Sequence, residues 1–189
     1  KIIKDLKTRN IFGLAAVAIM VIACGSNSSK RDKRNVISQS DKVEQREERN
    51  SNSVTLPNFT QNDISGQPVN LHKAISGNKV TLIDFWASWC GPCRAEMPNV
   101  ARIYERYKDK GFGIIGISLD EDADSWMTAV QAMDMKWLQL SDLNGWNNEI
   151  SSSLGIRSIP FTIVVDSNAR VLAVGLRGEE LERKIEELL

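Results

Sequence analysis

Two cysteines set two residues apart, at a place where a strand gives way to a helix, restrict this chain more than any other feature. Residues 79–86 (KVTLIDFW) are rich in Val, Ile, Leu and aromatics and predict a strand. Residues 93–109 place Met97, Val100, Ala101 and Tyr104 at helical spacing and predict an amphipathic helix. Between them lies Trp89-Cys90-Gly91-Pro92-Cys93. Cys90 thus stands at a helix N-terminus, where unpaired backbone N–H groups and the helix dipole stabilise a thiolate. Thiols at this spacing close a small ring and can cycle between dithiol and disulfide. The pattern reads as a redox site.

Two blander readings compete. A zinc site normally needs four ligands, and the chain has three Cys and one His. A structural disulfide across two residues closes too short a loop to remove much unfolded-state entropy. Neither matches the strand-to-helix placement.

The stretch IDFWASWCGPCRAEMP resembles the signature of the thioredoxin superfamily, and the resemblance extends from about Val54 to Leu189. It implies an α/β, thioredoxin-like fold with a central mixed β-sheet flanked by helices. Ile159-Pro160 then corresponds to the cis-proline element that faces the active site. FTIVVD (161–166) and RVLAV (170–174) would form the following hairpin, turned by Ser167-Asn168-Ala169. GEELERKIEELL would close the chain as a helix with Leu181, Ile185 and Leu188 on one face.

Spacing narrows the branch. Cys93 and Pro160 are 67 positions apart (160 less 93), more than in cytosolic thioredoxins. The additional residues read as an inserted helix-strand element. An acidic helix start (Asp120-Glu121-Asp122) leads into DADSWMTAVQAMDM, then a short strand around WLQLSD, then NGWNNEISSSLG. This insertion resembles the TlpA/ResA-like branch of envelope thiol-disulfide oxidoreductases. So does the N-terminal extension VTLPNFTQNDISGQPVNL, a predicted β-hairpin turned at Ser65-Gly66, and so does Glu96, three residues after Cys93.

The first residues carry an export pattern. Residues 1–10 hold four basic side chains and one acid, followed by a 13-residue apolar run at 11–23. That run suits a signal-peptide core and is short for a membrane span. Val21-Ile22-Ala23-Cys24 resembles a bacterial lipobox, which implies a signal peptide over 1–23 and lipidation of Cys24. Such acylation supplies enough hydrocarbon for stable anchoring. The expected location is the cell envelope, as a periplasm-facing lipoprotein.

Residues 24–53 are polar, Ser/Asn-rich and nearly free of large apolar side chains, so they read as a linker of roughly 30 Å r.m.s. span. A frayed helix over 39–49 is the alternative. Residues 54–189 have the size of one domain with its own core. Without residues 1–23 the charge count is 20 basic (24 less 4) against 23 acidic (24 less 1). So weak a net charge argues against a nucleic-acid partner, which requires a basic footprint.

The resemblance assigns roles. Cys90 is the attacking thiolate and Cys93, one turn further and more buried, the resolving thiol. Cys93 must lose a proton, and two carboxylates could take it. Asp84 occupies the position of the buried aspartate of thioredoxins, although Ile83 and Phe85 leave its facing open. Glu96 lies one helical turn beyond Cys93, within reach of the dithiol. A carboxyl buried there exchanges protons nearer neutral pH than a solvated one. Either acid could instead be an ordinary solvent-facing charge. Trp89, Gly91, Pro92, Ile159 and Pro160 form the expected substrate-contacting set, with the backbone of Ile159 pairing with an extended segment. No cofactor is implied beyond the redox-active disulfide, and no metal. Expected partners are disulfide-containing envelope proteins (apocytochrome c among the candidates) and a membrane electron donor, with the chain a monomer.

Gly-Pro between the cysteines is the dipeptide of reducing thioredoxins, which work near about −270 mV against about −120 mV for a strong oxidant. Reduction is therefore the expected direction. A thiol oxidase or disulfide isomerase, a peroxidase and a non-catalytic binding module are the competitors. Ala87 counts against a peroxidase, which would carry a hydroxyl there. Pro98 should kink its helix. His72 reads as a loop or helix-start residue, Trp126, Trp137 and Trp146 as core or rim, and Trp86 with Trp89 as a frame for the site.

Overall fold

A computed structural model of the protein describes residues 54–189; the signal-peptide, linker and Cys24 lipidation readings lie outside the described residues. Near-continuous apolar runs dictate a sheet whose central strands are buried on both faces. Val80–Trp86 (β3) and Phe112–Ser118 (β4) are buried along all seven residues each, as expected for strands covered on both sides. They pair in parallel, from Val80 opposite Phe112 to Trp86 opposite Ser118.

On the other side of β3 lies Phe161–Asp166 (β6), antiparallel, with Phe85 opposite Phe161. Val171–Val174 (β7) follows β6 as a hairpin with an irregularity at Val164/Val165. Asp166 Oδ1 accepts the Asn168 and Arg170 N–H groups in that turn, and Ala169 takes φ 59°, a conformation that favours glycine. Thr60–Asp63 (β1) and Pro68–Asn70 (β2) form the predicted N-terminal hairpin, in which Gly66 supplies φ 79°. Leu138–Ser141 (β5) joins that hairpin to β4. The mixed sheet runs β2-β1-β5-β4-β3-β6-β7.

The helices are Leu71–Ile75 (α1), Gly91–Tyr107 (α2), Ala123–Ala132 (α3), Glu149–Ser153 (α4) and Gly178–Leu188 (α5). Helix α2 starts two residues before the predicted 93, because Gly91-Pro92 suit a first turn that needs no backbone donor from proline. It continues unbroken through Pro98 to Tyr107. Its buried stripe is Cys93, Met97, Val100, Ile103 and Tyr107, while the predicted Ala101 and Tyr104 are only half-buried. Tyr104 instead packs against the Trp137 ring, 5.5 Å between centroids. Helix α5 buries Leu181 and Ile185, with Leu188 half-buried at its end.

The inserted helix-strand element is present as α3 and β5, with one correction. Asp122 alone is the N-cap, accepting the Ser125 N–H at 2.8 Å. Asp120, read from the sequence as part of the helix start, is 1% exposed and turned inward. Among the described residues no helix is long and apolar enough to cross a membrane.

Candidate active site

Strand β3 delivers the chain through Ala87-Ser88-Trp89 into the N-terminus of α2, and Cys90 is that helix's N-cap. Its sulfur accepts the Cys93 N–H at 3.2 Å, so a first-turn donor with no intrahelical acceptor points at the Cys90 sulfur. Cys90 and Cys93 form a disulfide with Cα atoms 5.3 Å apart. Both are buried, Cys90 at 5% and Cys93 at 1% exposure, so the expected difference between them is small. Gly91 and Pro92 are exposed above them.

Asp84 lies on β3, six residues before Cys90, and is 4% exposed. The facing that the sequence left open is inward. Burial, with the nearby Glu96 charge adding to it, pushes its carboxyl up from 3.8 to about 7. No hydrogen-bond donor among the described residues offsets the lost water. Glu96 is half-buried, and its Oε1 accepts from Asn99 Nδ2 and from the Gly178 N–H, both at 2.8 Å. Its hydrogen bonds therefore go to Asn99 on its own helix and to the start of α5 rather than to either sulfur. Its link to the site is electrostatic, through Asp84.

The Ile159–Pro160 peptide bond is cis. Because Phe161 pairs with Phe85, the two residues before it lie at the end of β3 from which the cysteine loop departs. Both are half-buried, and the Ile159 N–H and C=O join no backbone hydrogen bond among the described residues.

The two tryptophans expected to frame the site do different things. Trp86 is fully buried and donates its Nε1–H to Gln139 Oε1 at 3.0 Å, a core contact. Trp89 is 55% exposed, and its ring lies 6.2 Å from that of Trp146, 45% exposed. Trp126 and Trp137 are core residues. His72 sits in the first turn of α1, its ring nitrogen 2.7 Å from the Leu56 carbonyl oxygen.

Sequence reasoning missed Asp120. Its carboxylate accepts the Ser88 N–H at 3.0 Å, the Ser88 hydroxyl at 2.6 Å and the Ser118 hydroxyl at 2.7 Å. It holds the loop that leads to Cys90. The signal available was Ser118-x-Asp120 at the end of a buried strand, and the acidic run after it obscured the pattern. Among the described residues no group of three or more His, Cys, Asp or Glu could hold a metal.

Comparison with known proteins agrees with this geometry. The Redoxin family profile matches residues 51–189. The thiol-disulfide oxidoreductase ResA of Bacillus thuringiensis subsp. konkukian is 32% identical over 144 residues, covering 76% of this chain and 80% of that one. The thiol:disulfide interchange protein HelX of Rhodobacter capsulatus is 32% identical over 114 residues, covering 59% of this chain and 61% of that one. A solved thiol-disulfide oxidoreductase from Bacteroides fragilis superposes with a TM-score of 0.67 at 31% identity, over 72% of this chain and 100% of that one.

Proposed function

The chain belongs to the redoxin family as a TlpA/ResA-like thiol-disulfide oxidoreductase of the thioredoxin superfamily, and from that premise we propose that it is an anchored dithiol reductase of envelope proteins. The observation that carries this reading is the Cys90 sulfur capped by the Cys93 N–H at the start of α2. In the reduced protein that donor and the helix dipole favour the Cys90 thiolate.

The thiolate attacks one sulfur of a substrate disulfide. A mixed disulfide forms and one substrate thiolate leaves. Cys93 then gives its proton to Asp84, whose carboxyl near 7 is matched to that exchange, and attacks the Cys90 sulfur. The Cys90–Cys93 bond closes and the second substrate thiol is released. Two electrons have passed to the substrate, so a membrane electron donor must return them. Glu96 sets the readiness of Asp84 through its charge. Trp89, Gly91, Pro92 and Pro160 border the approaching disulfide, and the backbone groups of Ile159 receive its chain.

The organisation that suits this work is a signal peptide over 1–23, a lipid on Cys24, a linker over 24–53 and the catalytic domain over 54–189. The chain then acts as a monomer facing the periplasm, and apocytochrome c is a candidate substrate. The test is the reduction potential of the Cys90/Cys93 pair, equilibrated against a thiol buffer at pH 7. A value near or below about −250 mV supports the reductase. A value between about −180 and −120 mV makes the protein an oxidase or isomerase instead.

A further inference from the structure

Ile64, Trp89, Trp146 and Leu172 are the large apolar side chains exposed among the described residues, and two of the four, one of them next to Cys90 in the chain, face each other with ring planes tilted by 53°. An indole left in water forgoes burial, so a pair kept there needs a reason.

Both rings stand on pinned backbone. Ser88, next to Trp89, is held by Asp120 through its N–H and its hydroxyl. The loop of Trp146 is organised by Asp142, which accepts the Asn144 N–H and Asn148 Nδ2 on one oxygen, and the Glu149 N–H and Gln61 Nε2 on the other. Leu143 and Gly145 both take φ 55° in this loop, and a Cβ at 145 would lie 2.4 Å from Glu121 Oε1. The chain thus accepts an unfavourable Leu143 conformation and a glycine at a crowded point to set Trp146 against Trp89. Rings fixed before binding cost little entropy when a partner arrives.

We infer that Trp146 is a specificity-determining residue, forming with Trp89 an aromatic shelf for a large apolar side chain adjacent to the disulfide cysteine of a polypeptide substrate. The inference rests on the reductase reading given above. A disulfide attacked by Cys90 has to lie over the turn that Trp89 opens, so the shelf is continuous with the surface the substrate must already occupy. The N–H and C=O of Ile159, which join no backbone hydrogen bond among the described residues, suit a polypeptide backbone rather than a small disulfide. Trp is the side chain most suited to anchor such a contact.

The test uses the full chain, pre-reduced, and three disulfide-bonded peptides identical except for Phe, Ser or Arg beside the cysteine. Second-order rate constants are compared for the wild type, Trp146→Ala and Trp146→Phe. The wild type should prefer the Phe peptide over the Ser peptide by about tenfold, in line with an aromatic contact. Trp146→Ala should bring that ratio to about one, and Trp146→Phe should restore much of it. Equal rates for the Phe and Ser peptides in the wild type, or a preference that survives Trp146→Ala, overturn the inference while leaving the reductase intact. Preference for the Arg peptide overturns the apolar assignment in favour of a cation over the indoles. If the reduced wild type fails even with hydroxyethyl disulfide, the reductase reading falls and this inference with it.

Discussion

The Asp120 carboxylate accepts both the backbone N–H and the hydroxyl of Ser88, 32 positions earlier in the chain, and so fixes the loop that leads to Cys90. Asp120→Ala would leave those donors and the Ser118 hydroxyl without an acceptor in a largely dry site. It should destabilise the protein by roughly 1–3 kcal/mol in denaturant unfolding and slow the attack of Cys90. Asp120→Asn keeps the volume and one acceptor oxygen and should do less of both. Equal behaviour of the two variants would show that the hydrogen bonds do not matter.

Asp84 makes stability depend on pH. Its carboxyl is near 7 in the folded protein against 3.8 in the open chain, so the folded state binds the proton more tightly. That contribution is complete below about 4 and is lost as pH rises through about 7. At about 1.36 kcal/mol per unit, the loss is of the order of a few kcal/mol. Asp84→Asn should abolish most of this slope and raise stability at pH 8, while slowing release of the mixed disulfide. Urea titrations between pH 4 and 8 measure it, and a variant with the wild-type slope would refute the assignment.

Glu96→Gln keeps an oxygen for the Gly178 N–H but removes the charge that helps to raise Asp84. The pH midpoint for mixed-disulfide resolution should move down, by less than the burial contribution, and resolution should slow. Stopped-flow profiles identical to wild type would reduce Glu96 to a purely structural residue. Glu96→Ala loses the capping bond as well and should cost about 1 kcal/mol more in unfolding.

Gly116 marks a close approach in the core. A Cβ there would lie 2.2 Å from Gln139 Oε1, the acceptor of the Trp86 indole N–H. Gly116→Ala must displace Gln139 and break that bond, at roughly 1–3 kcal/mol of overpacking cost. A thermal midpoint within a degree of wild type would contradict the packing described.

What could be read from the sequence was what repeats locally. The apolar run of β3, the helical spacing of α2 and the thiols between them announce strand, helix and redox pair without tertiary information. The N-terminal hairpin and the inserted element followed from their turn residues and their length. Long-range partnerships could not be read this way. Asp120 sits in an acidic run directly before a helix, where capping is the ordinary explanation, and only the fold reveals Ser88 above it. The Glu96 spacing places it near Cys93, yet its acceptor is spent on Gly178, 82 positions away. Trp146 looked like any tryptophan in an insertion because exposure is not written in residue type.

Helix α5 is the last element among the described residues, and its first N–H holds the glutamate whose charge raises the buried aspartate. A chain shortened before residue 178 would keep every cysteine and still lack a fixed acid beside Asp84. The charge beside the dithiol is thus held in place by a helix from the far end of the described residues.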